Sequence, residues 1–167
     1  RVIHHGIPVR AESRFTATFQ DLLAQALEAQ TRPHEGEHAL DSTLLFIRFV
    51  PASLDGPGEV VDLTPDFQEG RIATNLPARD GTVIFGILQK GHREVMHGAK
   101  GAAGPVMDHY DRRITRQYLE RLQTITAETN RPLNDLARAL FCDSIEVAGA
   151  NWTDGFPRLF EDTYGYP

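Results

Sequence analysis

The stretch from Ala139 to Asp154 constrains this chain more than any other. It opens with a short apolar run, Ala139-Leu-Phe-Cys142, of the length and character of a strand buried in a parallel sheet. It turns polar at once with Asp143, Ser144 and Glu146. The small residues Ala148, Gly149 and Ala150 follow, then Asn151 and Trp152, and then a helix start. A buried strand that delivers acids, an amide and an indole into the loop before a helix is how α/β barrels and open α/β sheets build ligand sites at strand C-terminal ends. The plainer reading of the same residues is a βα loop whose acids cap the helix and face water.

The remaining sequence divides by pattern. Arg1 to Arg10 alternates apolar and polar residues over a short span. Arg14 to Phe19 alternates Phe15, Ala17 and Phe19 with polar neighbours, a strand signal, and Asp21 to Gln30 carries Leu22, Leu23, Ala26 and Leu27 at helical spacing. Ser42 to Val50 and Thr82 to Gln89 are nearly continuous apolar strands. Glu59 to Thr64 reads as a strand, with Gly70 to Leu76 as its hairpin partner. Lys90 to Pro105 is Gly-rich but lacks the fixed spacing and Lys-Ser/Thr ending of a phosphate loop. A helix follows, with Asp108 as cap, Asp111 in its first turn and an apolar stripe of Ile114, Tyr118, Leu119, Leu122 and Ile125. A last helix, capped by Thr153 or Asp154, presents Phe156, Leu159, Phe160 and Tyr164 as a buried face and stops at Gly165.

This order predicts an α/β chain, part of a (β/α)8 TIM-type barrel with a β-rich N-terminal elaboration. Residues 1–104 form the β-rich segment with hairpins, and residues 105–167 form the βα units. Two such units cannot close a barrel, which takes roughly 200 residues or more. On this reading the 167 residues are a piece of a larger catalytic domain, and its remaining segments are partners of this one. Ile84, Phe85, Leu140 and Phe141 would then need neighbouring strands to be covered.

Composition narrows the classes of partner. With 41% hydrophobic and 8% aromatic residues the chain can bury a core, and no segment reads as a membrane span or signal peptide. A net charge of −6 without a basic stripe argues against nucleic acid. The single cysteine, Cys142, excludes an internal disulfide and a multi-thiolate zinc site. His34 and His38 have the i, i+4 spacing of a shared metal site, but they flank Gly36 beside Pro33, in a segment that makes a poor helix.

Phe141-Cys-Asp-Ser-Ile-Glu-Val147 followed by Asn151-Trp-Thr153 and Phe156, ending in Tyr164-Gly-Tyr166, resembles the α-L-rhamnosidases of glycoside hydrolase family 106. Upstream, Val60-Val-Asp-Leu-Thr64, the Gly81-Thr-Val-Ile-Phe85 strand, the Gly-rich loop, Met107-Asp-His-Tyr110 and the helix with Tyr118-Leu119 come in the order that family leads one to expect. The resemblance covers residues 58 to 167. It departs at Asp154-Gly155, where the family commonly has Pro, and at Pro105-Val-Met107, where an acid usually precedes the Asp-His pair.

The resemblance implies an inverting hydrolase of α-L-rhamnosides, with Glu146 matching the proton donor and the base lying downstream of Pro167. It also implies a carbohydrate partner, an association with calcium whose ligands match no assignable residues here, and an extracytoplasmic location. Residue chemistry alone makes Glu146 a reasonable general acid. It follows a buried strand, Asp143 three residues before it disfavours ionisation, and Trp152 is near enough to dry the site. Trp152 is suited to stack on a sugar face, with Asn151 and Asp143 hydrogen-bonding hydroxyls. Asp108 and His109 sit at another expected strand end as substrate contacts, although helix capping explains Asp108 equally well. The competing classes are a non-catalytic carbohydrate-binding module, which keeps the Asn-Trp loop without the base, and a structural fragment without independent function.

Overall fold

The computed structural model describes residues 1–30, 40–91, 93–95, 100–101, 104–139 and 149–165, with Pro57 and Ile125 described by their backbone alone. The chain divides into two compact units, Arg1–His92 and Arg93–Pro167.

The first unit is antiparallel. Its strands are β1 (Val2–Val9), β2 (Arg14–Thr18), β3 (Ser42–Pro51), β4 (Val61–Asp62), β5 (Phe67–Gln68), β6 (Arg71–Asn75) and β7 (Gly81–Gln89), with helix α1 (Phe19–Glu28) after β2. One sheet has the order β1-β7-β3-β4 and the other β2-β6-β5. Strand β7 lies between two antiparallel neighbours, with Val2 opposite Leu88 on one side and Ser42 opposite Gln89 on the other. That central place explains why Gly81, Val83, Phe85, Gly86, Ile87 and Gln89 are all buried.

Two glycines of β7 make room for rings of β3. A Cβ at Gly81 would lie 2.5 Å from the Val50 carbonyl oxygen and 2.6 Å from the Phe49 ring, and one at Gly86 would lie 2.5 Å from the Phe46 ring. The buried Gln89 is satisfied: its Oε1 accepts from Arg1 Nη2 at 2.9 Å, and its Nε2 donates to Ser42 Oγ at 3.3 Å.

Helix α1 starts on a capping box. Thr18 Oγ1 accepts from Asp21 N at 3.2 Å, and Asp21 Oδ2 accepts from Thr18 N at 2.8 Å and from Thr18 Oγ1 at 2.7 Å. The helix buries Leu22, Leu23, Ala26 and Leu27 in one cluster with Phe15, Ile47, Phe49, Ile72, Val83, Phe85 and Ile87. Full burial of a side chain such as Phe49 or Phe85 stabilises by about 1.5–3 kcal/mol each.

These findings overturn the expected partial (β/α)8 barrel. Among the described residues there are two antiparallel sheets and short helices, without strand–helix alternation and without closure. The continuous apolar runs of β3 and β7 read as parallel strands because parallel strands are covered on both faces. Strand β7 is instead an antiparallel strand whose Val83, Phe85 and Ile87 face the core shared with α1 and the second sheet, while Thr82, Ile84 and Leu88 on its other face are half-buried. Phe85, expected to need barrel neighbours, is fully buried within this unit, and Ile84 is half-buried.

The expected hairpin also differs. Strand β6 turns back on β5, with Phe67 opposite Ile72, through Glu69 and Gly70, both at positive φ (50° and 76°). The 3-10 turn Thr64–Asp66 separates that hairpin from β4, which pairs instead with β3.

The second unit holds α2 (Arg112–Ala127), α3 (Leu133–Leu136) and α4 (Phe156–Tyr164). An isolated antiparallel bridge joins Glu94 and Pro105, flanked by Val95 N donating to Gly104 O at 2.9 Å and Val106 N donating to Arg93 O at 3.0 Å. Of the expected strand at Ala139 to Cys142, only Ala139 is described. It is irregular and exposed, and the rest lies outside the described residues.

Candidate functional site

The predicted site residues fall into two local structures and one stretch that is not described. Glu146 and Asp143 belong to residues 140–148, outside the described residues, as do His34 and His38 in residues 31–39. Asn151 is exposed and Trp152 half-buried in the segment that enters α4.

That entry has its own order. The Trp152 ring meets Phe156 edge-on, with centroids 5.6 Å apart and planes at 65°. Phe156 stands 6.1 Å from Phe160, and Phe160 stands 4.7 Å from Tyr164. Residues 152, 156, 160 and 164 recur at the four-residue spacing that stacks side chains along one helix face. The ladder holds the indole at the entry to α4 by contacts local in sequence. Phe156 and Tyr164 are exposed, as is Leu159 at 64%, so the expected buried face of α4 is not buried.

Gly155, rather than Thr153 or Asp154, occupies the N-cap and supplies no side-chain bond, while Phe156 N donates to Thr153 O at 3.0 Å. At the other end Gly165, at φ 75°, ends the helix by donating its N–H to Glu161 O at 2.8 Å.

Asp108 and His109 precede α2 without a strand before them among the described residues. Asp108 is half-buried, and its Oδ1 accepts from Tyr110 N at 2.9 Å, so its carboxylate orders the turn into the helix. His109 is exposed. The cap itself is Asp111, whose Oδ1 accepts from Arg113 N at 2.8 Å and whose Oδ2 accepts from Arg113 Nη2 at 2.8 Å. Hydrogen bonds from the Arg113 side chain and backbone hold the Asp111 carboxyl below its ordinary range. Asp111 was readable as an acid in the first turn. Its role as the cap shows only in the structure, where Asp108 bonds Tyr110 N instead.

Asp111 raises the Arg113 guanidinium above its ordinary value, and Asp154 adds to that rise. Thus Asp154, next to the Asn151-Trp-Thr153 segment, lies within electrostatic reach of the start of α2.

Among the described residues no group of three or more His, Cys, Asp or Glu is placed to hold a metal ion, and no helix is long and apolar enough to cross a membrane. Compared with protein-family models, curated proteins and solved structures, the chain matches none of them.

Proposed function

We propose that this chain is a segment of a glycoside hydrolase that cleaves α-L-rhamnosides with inversion, with Glu146 as general acid. The observation that carries the reading is the ordered set Asp143-Ser-Ile-Glu146 followed by Asn151-Trp-Thr153. The local geometry supports it. Trp152 is steadied edge-on by Phe156 while remaining partly accessible, and Asn151 beside it is exposed, a pairing suited to a sugar face and its hydroxyls.

In the proposed reaction Glu146 gives its proton to the glycosidic oxygen as the bond to the anomeric carbon breaks. A second carboxylate, supplied from outside this chain, takes a proton from the attacking water on the opposite face, about 6.5–9.5 Å away. Asp143 is too close in sequence to serve as that base and is assigned an orienting role.

The test is release of the aryl group from an aryl-α-L-rhamnoside by a protein carrying this chain with its flanking sequence, beside its Glu146→Gln form. The variant is expected to lose about 10²-fold or more in kcat. Equal rates remove Glu146 as the acid. The exposed Asn151 beside a half-buried Trp152 also favours a second reading, a non-catalytic carbohydrate-binding role. It predicts that the rhamnoside is bound but not cleaved by either form.

A further inference from the structure

A cleft of about 830 Å³ lies within the second unit, where the last turns of α2 meet the turn at residues 130–132 and α3. Gln123, Thr126, Asn130, Arg131, Asn134 and Arg138 give it its polar wall, and Pro132 and Leu133 give it an apolar one. Among the described residues two arginines line it and no aspartate or glutamate does, in a chain whose net charge is −6.

The arginines are differently held. Arg131 Nη2 donates to Asp135 O at 2.9 Å, which sets the direction of its guanidinium and leaves further N–H donors. Arg138 is exposed and, among the described residues, enters no ion pair. Two carbonyls at the negative end of α2 are already engaged within the chain. Thr126 O accepts from Thr129 N at 3.0 Å and from Thr129 Oγ1 at 2.6 Å, and Ala127 O accepts from Asn130 N at 2.9 Å.

We propose that this cleft binds an anionic monosaccharide, a polyol carrying one carboxylate or phosphate. The volume suits a small ligand. Guanidinium forks match the planar or trigonal oxygens of either anion. Amide and hydroxyl side chains both donate and accept, as sugar hydroxyls do, and the apolar wall covers the ring. The proposal does not rest on the role assigned to Glu146.

Calorimetric titration of the full chain with D-glucuronate, D-glucose 6-phosphate, D-glucose and inorganic phosphate tests the proposal. At least one charged sugar binds about tenfold or more tightly than glucose and than phosphate, and the tighter of the two names the preferred anion. Arg138→Gln and, separately, Arg131→Gln each weaken that binding about tenfold. Arg158→Gln, on the exposed face of α4, leaves it unchanged. Glucose or phosphate binding as well as the charged sugars overturns the proposal. So does the absence of binding by every probe, or wild-type affinity in both arginine variants with unchanged circular dichroism.

Discussion

Helices α1 and α2 are both amphipathic, yet they meet opposite fates. Helix α1 buries Leu22, Leu23, Ala26 and Leu27, each at 5% exposure or less. Helix α2 leaves Tyr118 at 53% and Leu119 at 40%. The contrast extends to the units that contain them. Among the described residues all of the buried hydrophobic ones, from Ile3 to Ile87, belong to the first unit. In the second, Val95, Tyr110, Leu136, Phe156, Leu159 and Tyr164 are exposed as well. Periodicity makes a helix, but a core forms only where a complementary face is within reach. Strands β1 and β7 supply one to α1, and nothing among the described residues supplies one to α4.

The most severe way to break this comparison is Phe49→Ala. Phe49 is fully buried between β7 and the core, so its truncation is expected to cost about 3–5 kcal/mol in urea unfolding of the first unit. A cost below about 1 kcal/mol would mean that this core is not closed. Gly81→Ala is next. The new methyl collides with the Val50 carbonyl and the Phe49 ring, and an overpacking cost of about 1–3 kcal/mol is expected in the same measurement.

Thr18→Ala removes one side of the α1 capping box and should cost about 1 kcal/mol. It carries a pH signature as well. Hydrogen bonds from the Thr18 side chain and backbone hold the Asp21 carboxyl below its ordinary value. That contribution is present above the ordinary carboxylate range and is lost as pH falls through the lowered folded value. The melting temperature of the unmodified chain should therefore drop more on acidification than that of Thr18→Ala. Parallel profiles would separate Asp21 from the cap.

The smallest effect sharpens the contrast from the other side. Leu159→Ala on α4 should change stability by no more than about 0.5 kcal/mol, because the residue is 64% exposed. A loss above about 1 kcal/mol in thermal unfolding would show that this face is covered in solution.

Much of the local structure was legible. The alternation of Phe15 and Ala17 marks β2, the leucine spacing marks α1, and the apolar runs from Ser42 and Thr82 become β3 and β7. Gly165 ends α4 as its position implied, because a left-handed residue there closes the last turn without steric penalty. Caps were less legible. Asp108 and Asp111 are both acids before α2, and only the turn geometry decides that Asp108 bonds Tyr110 N while Asp111 bonds Arg113 N. Of the candidate site, the Trp152 ladder follows from four-residue spacing. The pull of the Asp154 charge on Arg113 links segments far apart in the chain, which no local pattern encodes.

By itself the sequence determined that the segment around Phe15, Ser42 to Val50 and Thr82 to Gln89 are strands and that the leucine-spaced segment after Phe19 and the segment after Asp111 are helices. Those properties depend on side-chain type and spacing over a few neighbours. Tertiary structure alone decided the partners and their direction: that β7 lies antiparallel between β1 and β3, and that β6 joins β2 and β5. A run of apolar residues states that it will leave water. It does not state which backbone will accept its hydrogen bonds, because parallel and antiparallel ladders can bury the same side chains.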